Sequence, residues 1–131
     1  MKLRINESNG YEKDLEILKA IDYSPLENKL SEVVGSSIKL TADVKQYRGE
    51  RPRLEFESQD IRDFCGVFGI VLKSCVLSTF GTGFFKDSDD IWGRIDLRYS
   101  HKEGGSNGME LLRYQYSEDN GWQIRVVGED R

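Results

Sequence analysis

Apolar residues change their spacing several times along this chain, and each change predicts an element. Leu3 and Ile5 alternate with polar neighbours, so residues 1–8 read as a short extended arm. Tyr11, Leu15, Leu18 and Ile21 then fall on one helical face, which predicts an amphipathic helix over 10–21, with Asn9 as N-cap and Glu12 completing a capping-box arrangement. Ser24-Pro25-Leu26-Glu27 opens a second helix over 25–34, with Ser24 expected at the N-cap, Pro25 at N1 and Glu27 at N3 closing a capping box. Leu26, Leu30, Val33 and Val34 give its apolar stripe, and Gly35 stands where a left-handed C′ residue is wanted.

From Ile38 the period becomes two. Ile38, Leu40, Ala42 and Val44 predict one strand, Leu54 and Phe56 a second, and the loop Tyr47–Pro52 joins them as a hairpin. The helical period returns at Ser58: Ile61, Phe64, Cys65 and Phe68 predict a third helix, stopped near Gly69. A long strand follows with apolar residues on both faces, as a central, doubly covered strand would have, and Gly81 and Gly83 predict a bulge near its end. Beyond the turn Asp87–Asp90, strands are expected over Ile91–Tyr99, 109–116 and Trp122–Val127. The polar stretch His101–Gly108 and the turn Asp119-Asn120-Gly121 separate them. The expected fold is α+β: two N-terminal helices and one inner helix packed on a mainly antiparallel sheet of about six strands, ending in a C-terminal meander.

The 131 residues, 37% of them hydrophobic and 32% charged, suit one domain that needs no metal or disulfide staple. The densest apolar stretch, Phe64–Phe85, is long enough to raise a membrane span. Its four glycines, its hydroxyl residues and Lys73 make it a core segment instead. A net charge of −4 argues against a general electrostatic hold on nucleic acid or an anionic membrane. The polar N-terminal stretch shows no secretory pattern, and two thiols without partners point to a reducing cytoplasm.

Chemistry-bearing motifs are sparse. Cys65 and Cys75 lack zinc-ligand spacing, and a Cys–His nucleophile using His101 would need a thiol from the most apolar segment of the chain. Asp87-Ser88-Asp89-Asp90 begins like a calcium loop, but Trp92 stands where that loop needs glycine. Gly81–Lys86 lacks the ending of a phosphate loop, and Gly104–Gly108 reads as a hairpin tip. The arginines Arg48, Arg51 and Arg53 are interrupted by Glu50 and Glu55, which favours a solvated loop. No cofactor, metal or catalytic set is implied.

A face carries more than any motif. Strand alternation places Trp92, Arg94 and Arg98 on one side with Arg113, Gln115, Gln123 and Arg125, opposed only by Asp96. These residues, with Trp92, Arg94, Arg98, Arg113 and Arg125 as the binding set, suit an acidic protein surface or the phosphates and bases of a nucleic acid. An ordinary solvated sheet face is the competing reading. The expectation is a non-enzymatic module that binds and masks or inhibits a partner protein, as immunity proteins and phage-borne inhibitors do by analogy of class. Nucleic-acid binding through the same face is the alternative. A small-molecule or hydrolytic site beside the Gly81–Phe85 bend, with His101, is the third.

Overall fold

The computed structural model describes residues 1–5, 11–47, 49–61, 72–101 and 104–127, with the backbone alone at 72–74, 79–81, 101 and 106. It is an α+β fold of two helices and eight strands among those residues: β1 (Lys2–Ile5), α1 (Glu12–Ala20), α2 (Ser24–Val34), β2 (Thr41–Lys45), β3 (Arg53–Phe56), β4 (Gln59–Asp60), β5 (Leu72–Phe84), β6 (Ile91–His101), β7 (Ser106–Ser117) and β8 (Gly121–Val126). The strands form two sheets, one in the order β1-β2-β3 and one in the order β4-β5-β6-β7-β8. This corrects the expected single sheet of about six strands. All pairings are antiparallel except that of β1 with β2.

Helix α2 forms where its local signals place it. Pro25 presets the first turn, and Gly35 ends the helix at φ 81° while its amide donates to the Ser31 carbonyl. The N-cap is Tyr23 rather than Ser24. The Asp22 carboxylate accepts the Ser24 amide, and the Tyr23 carbonyl accepts the amides of Leu26 and Glu27. That bond from Ser24 holds the Asp22 carboxyl below its ordinary value. Helix α1 likewise starts later than expected, with Tyr11 at its N-cap; Asn9 lies outside the described residues.

Glu27 is buried and forms no capping box. Its Oε2 accepts the Leu40 amide at 2.8 Å, and one turn along Ser31 Oγ accepts the Ile38 amide at 2.8 Å. The amides of Ile38 and Leu40 are thus bonded to side chains of α2, so β2 begins at Thr41 rather than at Ile38. The two residues keep the inward positions that the alternation gave them.

Two further expectations change at the centre of the chain. Where a third helix was to begin, Gln59–Asp60 pair with Leu77 and Val76 of β5, and the Ile61 amide donates to the Cys75 carbonyl. Residues 62–71 lie outside the described part, so the rest of that expectation does. Among the described residues β5 lies between the two-residue strand β4 and the long strand β6. Its register does shift between Phe80 and Gly83, where the bulge was expected. Cys75 is fully buried and disulfide-bonded. It is not a free thiol, so the thiol half of the inference to a reducing cytoplasm falls away. No helix among the described residues is long and apolar enough to cross a membrane.

The core fills the space between the helices and the inner faces of both sheets. Leu18, Leu26, Leu30, Leu54, Ile91, Ile95, Leu112 and Cys75 are its most deeply buried side chains, and each such aliphatic side chain contributes about 1.5–3 kcal/mol. Trp122 ties the helices to β8. Its Nε1 donates to the Asp22 carbonyl at 2.7 Å, and its ring lies 5.2–5.8 Å from those of Tyr116, Tyr114 and Tyr23. Arg51, in the β2–β3 loop, ties α1 to the turn between β5 and β6. It holds Asp14 through two bonds of 2.9 and 2.7 Å, donates to the Ser88 carbonyl and covers the Phe84 ring at 4.0 Å.

Candidate functional site

The meander β6-β7-β8 turns one face to the core and the other to solvent. Ile91, Ile95, Leu112 and Tyr114 point inward, whereas Trp92, Arg98, Arg113, Gln115, Gln123 and Arg125 are exposed, as strict alternation requires. Register turns this outward set into two ranks. Trp92 pairs with Gln115 and Gln115 with Gln123; one step along, Arg94 pairs with Arg113 and Arg113 with Arg125. Three arginines therefore stand side by side on three adjacent strands. Like charges directly opposite each other cost about 0.2–1 kcal/mol per pair.

Two carboxylates offset part of that cost. Arg94 Nε lies 3.4 Å from Asp96 Oδ1, and the two side chains are only 33% and 16% exposed. Arg113 donates to Glu110 through both Nε and Nη2. Glu110 escaped the sequence reading for a definite reason. Plain alternation sends it inward with Leu112, but the β6–β7 register slips between Ile95 and Asp96, so that Ile95 pairs with Leu112 while Asp96 pairs with Glu110. Leu111 is the extra residue of this bulge and is buried with Leu112. The slip brings Glu110 to the outer face, beside Arg113.

The exposed end of the ranks is aromatic. Trp92 and Phe85 remain 42% and 39% exposed with ring centroids 6.0 Å apart. Beside them the sheet forms an open concavity of about 490 Å³, walled by Phe85, Trp92, Arg113, Gln115, Gln123 and Arg125 and floored by Gly93, Tyr114 and Ile124. The Gln115 side chain donates from Nε2 to Gln123 Oε1 across β7 and β8. Of the five residues expected to bind, Trp92, Arg113 and Arg125 line this concavity. Arg94 stands in the same rank but half buried, and Arg98 lies further along β6, opposite Gly108.

No protein family, curated protein or solved structure matches this chain. The geometry alone speaks for the site.

The other candidates come apart in three dimensions. Cys75 in its disulfide offers no thiolate to a Cys–His pair. His101 closes the far end of β6, nine residues and so about 30 Å from Trp92. In the Asp87–Asp90 turn, Asp89 lies near Lys13 and Arg51, and no group of three metal-ligating side chains occurs among the described residues. The hairpin arginines are committed as well: Arg51 holds Asp14, and Arg53 lies near Glu55 and over the Tyr47 ring at 4.2 Å. Arg48 is outside the described residues. The expected polar loop His101–Gly108 is shorter than read, since β6 runs to His101 and β7 begins at Ser106.

Proposed function

We propose that this protein is a non-catalytic binding module that docks on another protein through the outer face of β6-β7-β8 and masks or inhibits what it covers. One observation carries the reading: an in-register row of Arg94, Arg113 and Arg125 beside an exposed Phe85–Trp92 pair over an open concavity. Arg and Trp dominate the energetics of protein interfaces, and a sheet face that accepts like-charge crowding gives up stability for something other than folding. Arginine next to exposed aromatic rings also suits single-stranded nucleic acid, the second reading. The repeated phosphates of a nucleic-acid strand would have to run past both Asp96 and Glu110, and a net charge of −4 gives such a polyanion no general hold, which makes this the weaker reading.

The test is comparative capture. Wild-type protein, Arg113→Glu/Arg125→Glu and a control altered on α1, Lys19→Ala, are immobilised and exposed to cell extract. The reading expects one protein enriched in stoichiometric amount on wild type and control, and lost on the double variant. Equal recovery on all three, or recovery of none, overturns it. A mobility shift with single-stranded DNA or RNA at low salt, abolished by the same double variant, would favour the second reading.

A further inference from the structure

We infer that the concavity takes an acidic segment of the partner, with Glu110 holding the place of that segment's carboxylate until it arrives; this rests on the protein-binding reading above. Charge complementarity sets the occupant. Arg113 and Arg125 stand opposite each other along one side of the concavity, and the Phe85–Trp92 pair closes one end of it. A carboxylate directed at the arginines, next to an aromatic or branched apolar side chain directed at the rings, satisfies both ends at once. Guanidinium groups favour carboxylates because two parallel N–H bonds match two oxygens. A volume of about 490 Å³ is within the range of pockets that enclose a few side chains.

Glu110 gives the inference its edge. It grips Arg113 through Nε and Nη2, the side-on, two-bond geometry that an incoming carboxylate would use. The grip fixes the guanidinium against the sheet and lowers the repulsion along the arginine row while the face is empty. It also makes binding an exchange of one carboxylate for another. The prediction is asymmetric: removing an arginine weakens binding, whereas removing the charge of Glu110 strengthens it. A pair that only stabilises the sheet would not behave so.

The experiment selects short random peptides on the immobilised full-length chain, then measures fluorescein-labelled winners by anisotropy against wild type and variants. The inference expects winners with Asp or Glu beside Trp, Phe or Leu. Arg113→Ala and Arg125→Ala should each weaken binding about tenfold, Arg125→Lys severalfold because the fork is lost, and Glu110→Gln should tighten it about threefold or more. Thermal melts of every variant separate lost binding from lost folding. Neutral or basic winners, unchanged binding by the arginine variants, or weaker binding by a folded Glu110→Gln each overturn the inference. If basic winners still need the face, protein binding stands and the acidic segment falls. If no peptide and no cell protein depends on the face, both fall. Tighter binding of oligo(dT) than of any peptide also overturns both.

Discussion

Gly93 is the position where the inner packing of the meander can be tested with one methyl group. A Cβ there would lie 2.5 Å from Tyr114 Oη, 2.6 Å from Thr82 Oγ1 and 2.7 Å from Tyr114 Cζ. Those two hydroxyls share a buried hydrogen bond of 2.7 Å. The Tyr114 ring has little room to retreat, with Trp122 at 5.7 Å and Phe56 at 6.5 Å. Gly93→Ala must therefore push the ring against its neighbours and part the hydroxyls. Overpacking costs about 1–3 kcal/mol, and stranding a buried hydroxyl costs about 1–3 kcal/mol more. The expected loss is about 2–6 kcal/mol, a large part of the roughly 5–15 kcal/mol that holds a domain of this size. A chain of 131 residues loses about 3–4 °C of Tm per kcal/mol, so the melt should fall by roughly 6–24 °C. Urea unfolding should show a lower midpoint with an unchanged slope. In a double-mutant cycle Tyr114→Phe should cost less in the Gly93→Ala background than in wild type, because the hydroxyl bond is already lost there. A Gly93→Ala protein that melts within about 2 °C of wild type would refute the reasoning.

Three further outcomes follow from named contacts. Arg51→Ala removes the two-bond pair with Asp14, the bond to the Ser88 carbonyl and the cover on Phe84, and should cost about 2–4 kcal/mol in thermal melts, with Arg51→Lys recovering less than half; an unchanged Tm would contradict the clamp. Burial pushes the phenols of Tyr23 and Tyr114 well above their ordinary 10.0. The unfolded chain gives up those protons near pH ~10 and the folded chain keeps them, so this stability is intact below about pH 10 and is lost above it, by about 1.4 kcal/mol per pH unit per tyrosine. Urea midpoints between about pH 9 and 11.5 should fall less steeply for Tyr114→Phe than for wild type, and equal slopes would contradict the assignment. Trp92 is exposed whereas Trp122 is half buried among three tyrosines, so iodide should quench a Trp92→Phe protein far less than wild type, and equal quenching would contradict the placement of the two indoles.

Much of the fold is legible where the cause is local. Helix α2 shows itself through Pro25, Gly35 and an apolar stripe, and the meander through alternation and the Asn120-Gly121 turn, whose glycine takes φ 67°. What the sequence could not show depends on distant partners. The helical spacing from Ile61 gave no sign that Gln59–Asp60 would pair with β5. Nothing near Leu3 signals a parallel partner some forty residues later, in β2. The N-cap of α2 falls one residue earlier than Ser24 because the Tyr23 carbonyl accepts the Leu26 and Glu27 amides while the Asp22 carboxylate takes the Ser24 amide.

The candidate face was legible as composition, since Trp92, Arg113 and Arg125 follow from period two. Its internal balance was not. One extra residue at Leu111 reverses the side on which Glu110 stands, and that reversal turns a plain arginine face into one whose central guanidinium is already held. Bulges of this kind carry no strong signal in a single sequence, for both Leu111 and Leu112 are apolar and either could have been the inward one.

Whether the partner lands on the outer face of β6-β7-β8 is tested most directly by nuclear magnetic resonance. The measurement is the set of backbone-amide and indole resonances of the isotope-labelled chain that move when an acidic peptide selected on it is titrated in. The proposed docking face predicts that the largest shifts fall on the Trp92 indole and on the amides of Arg113, Gln115, Gln123 and Arg125, with α1 and the β1 edge unmoved. Shifts concentrated on α1, α2 or β1, with the Trp92 indole unchanged, would contradict it.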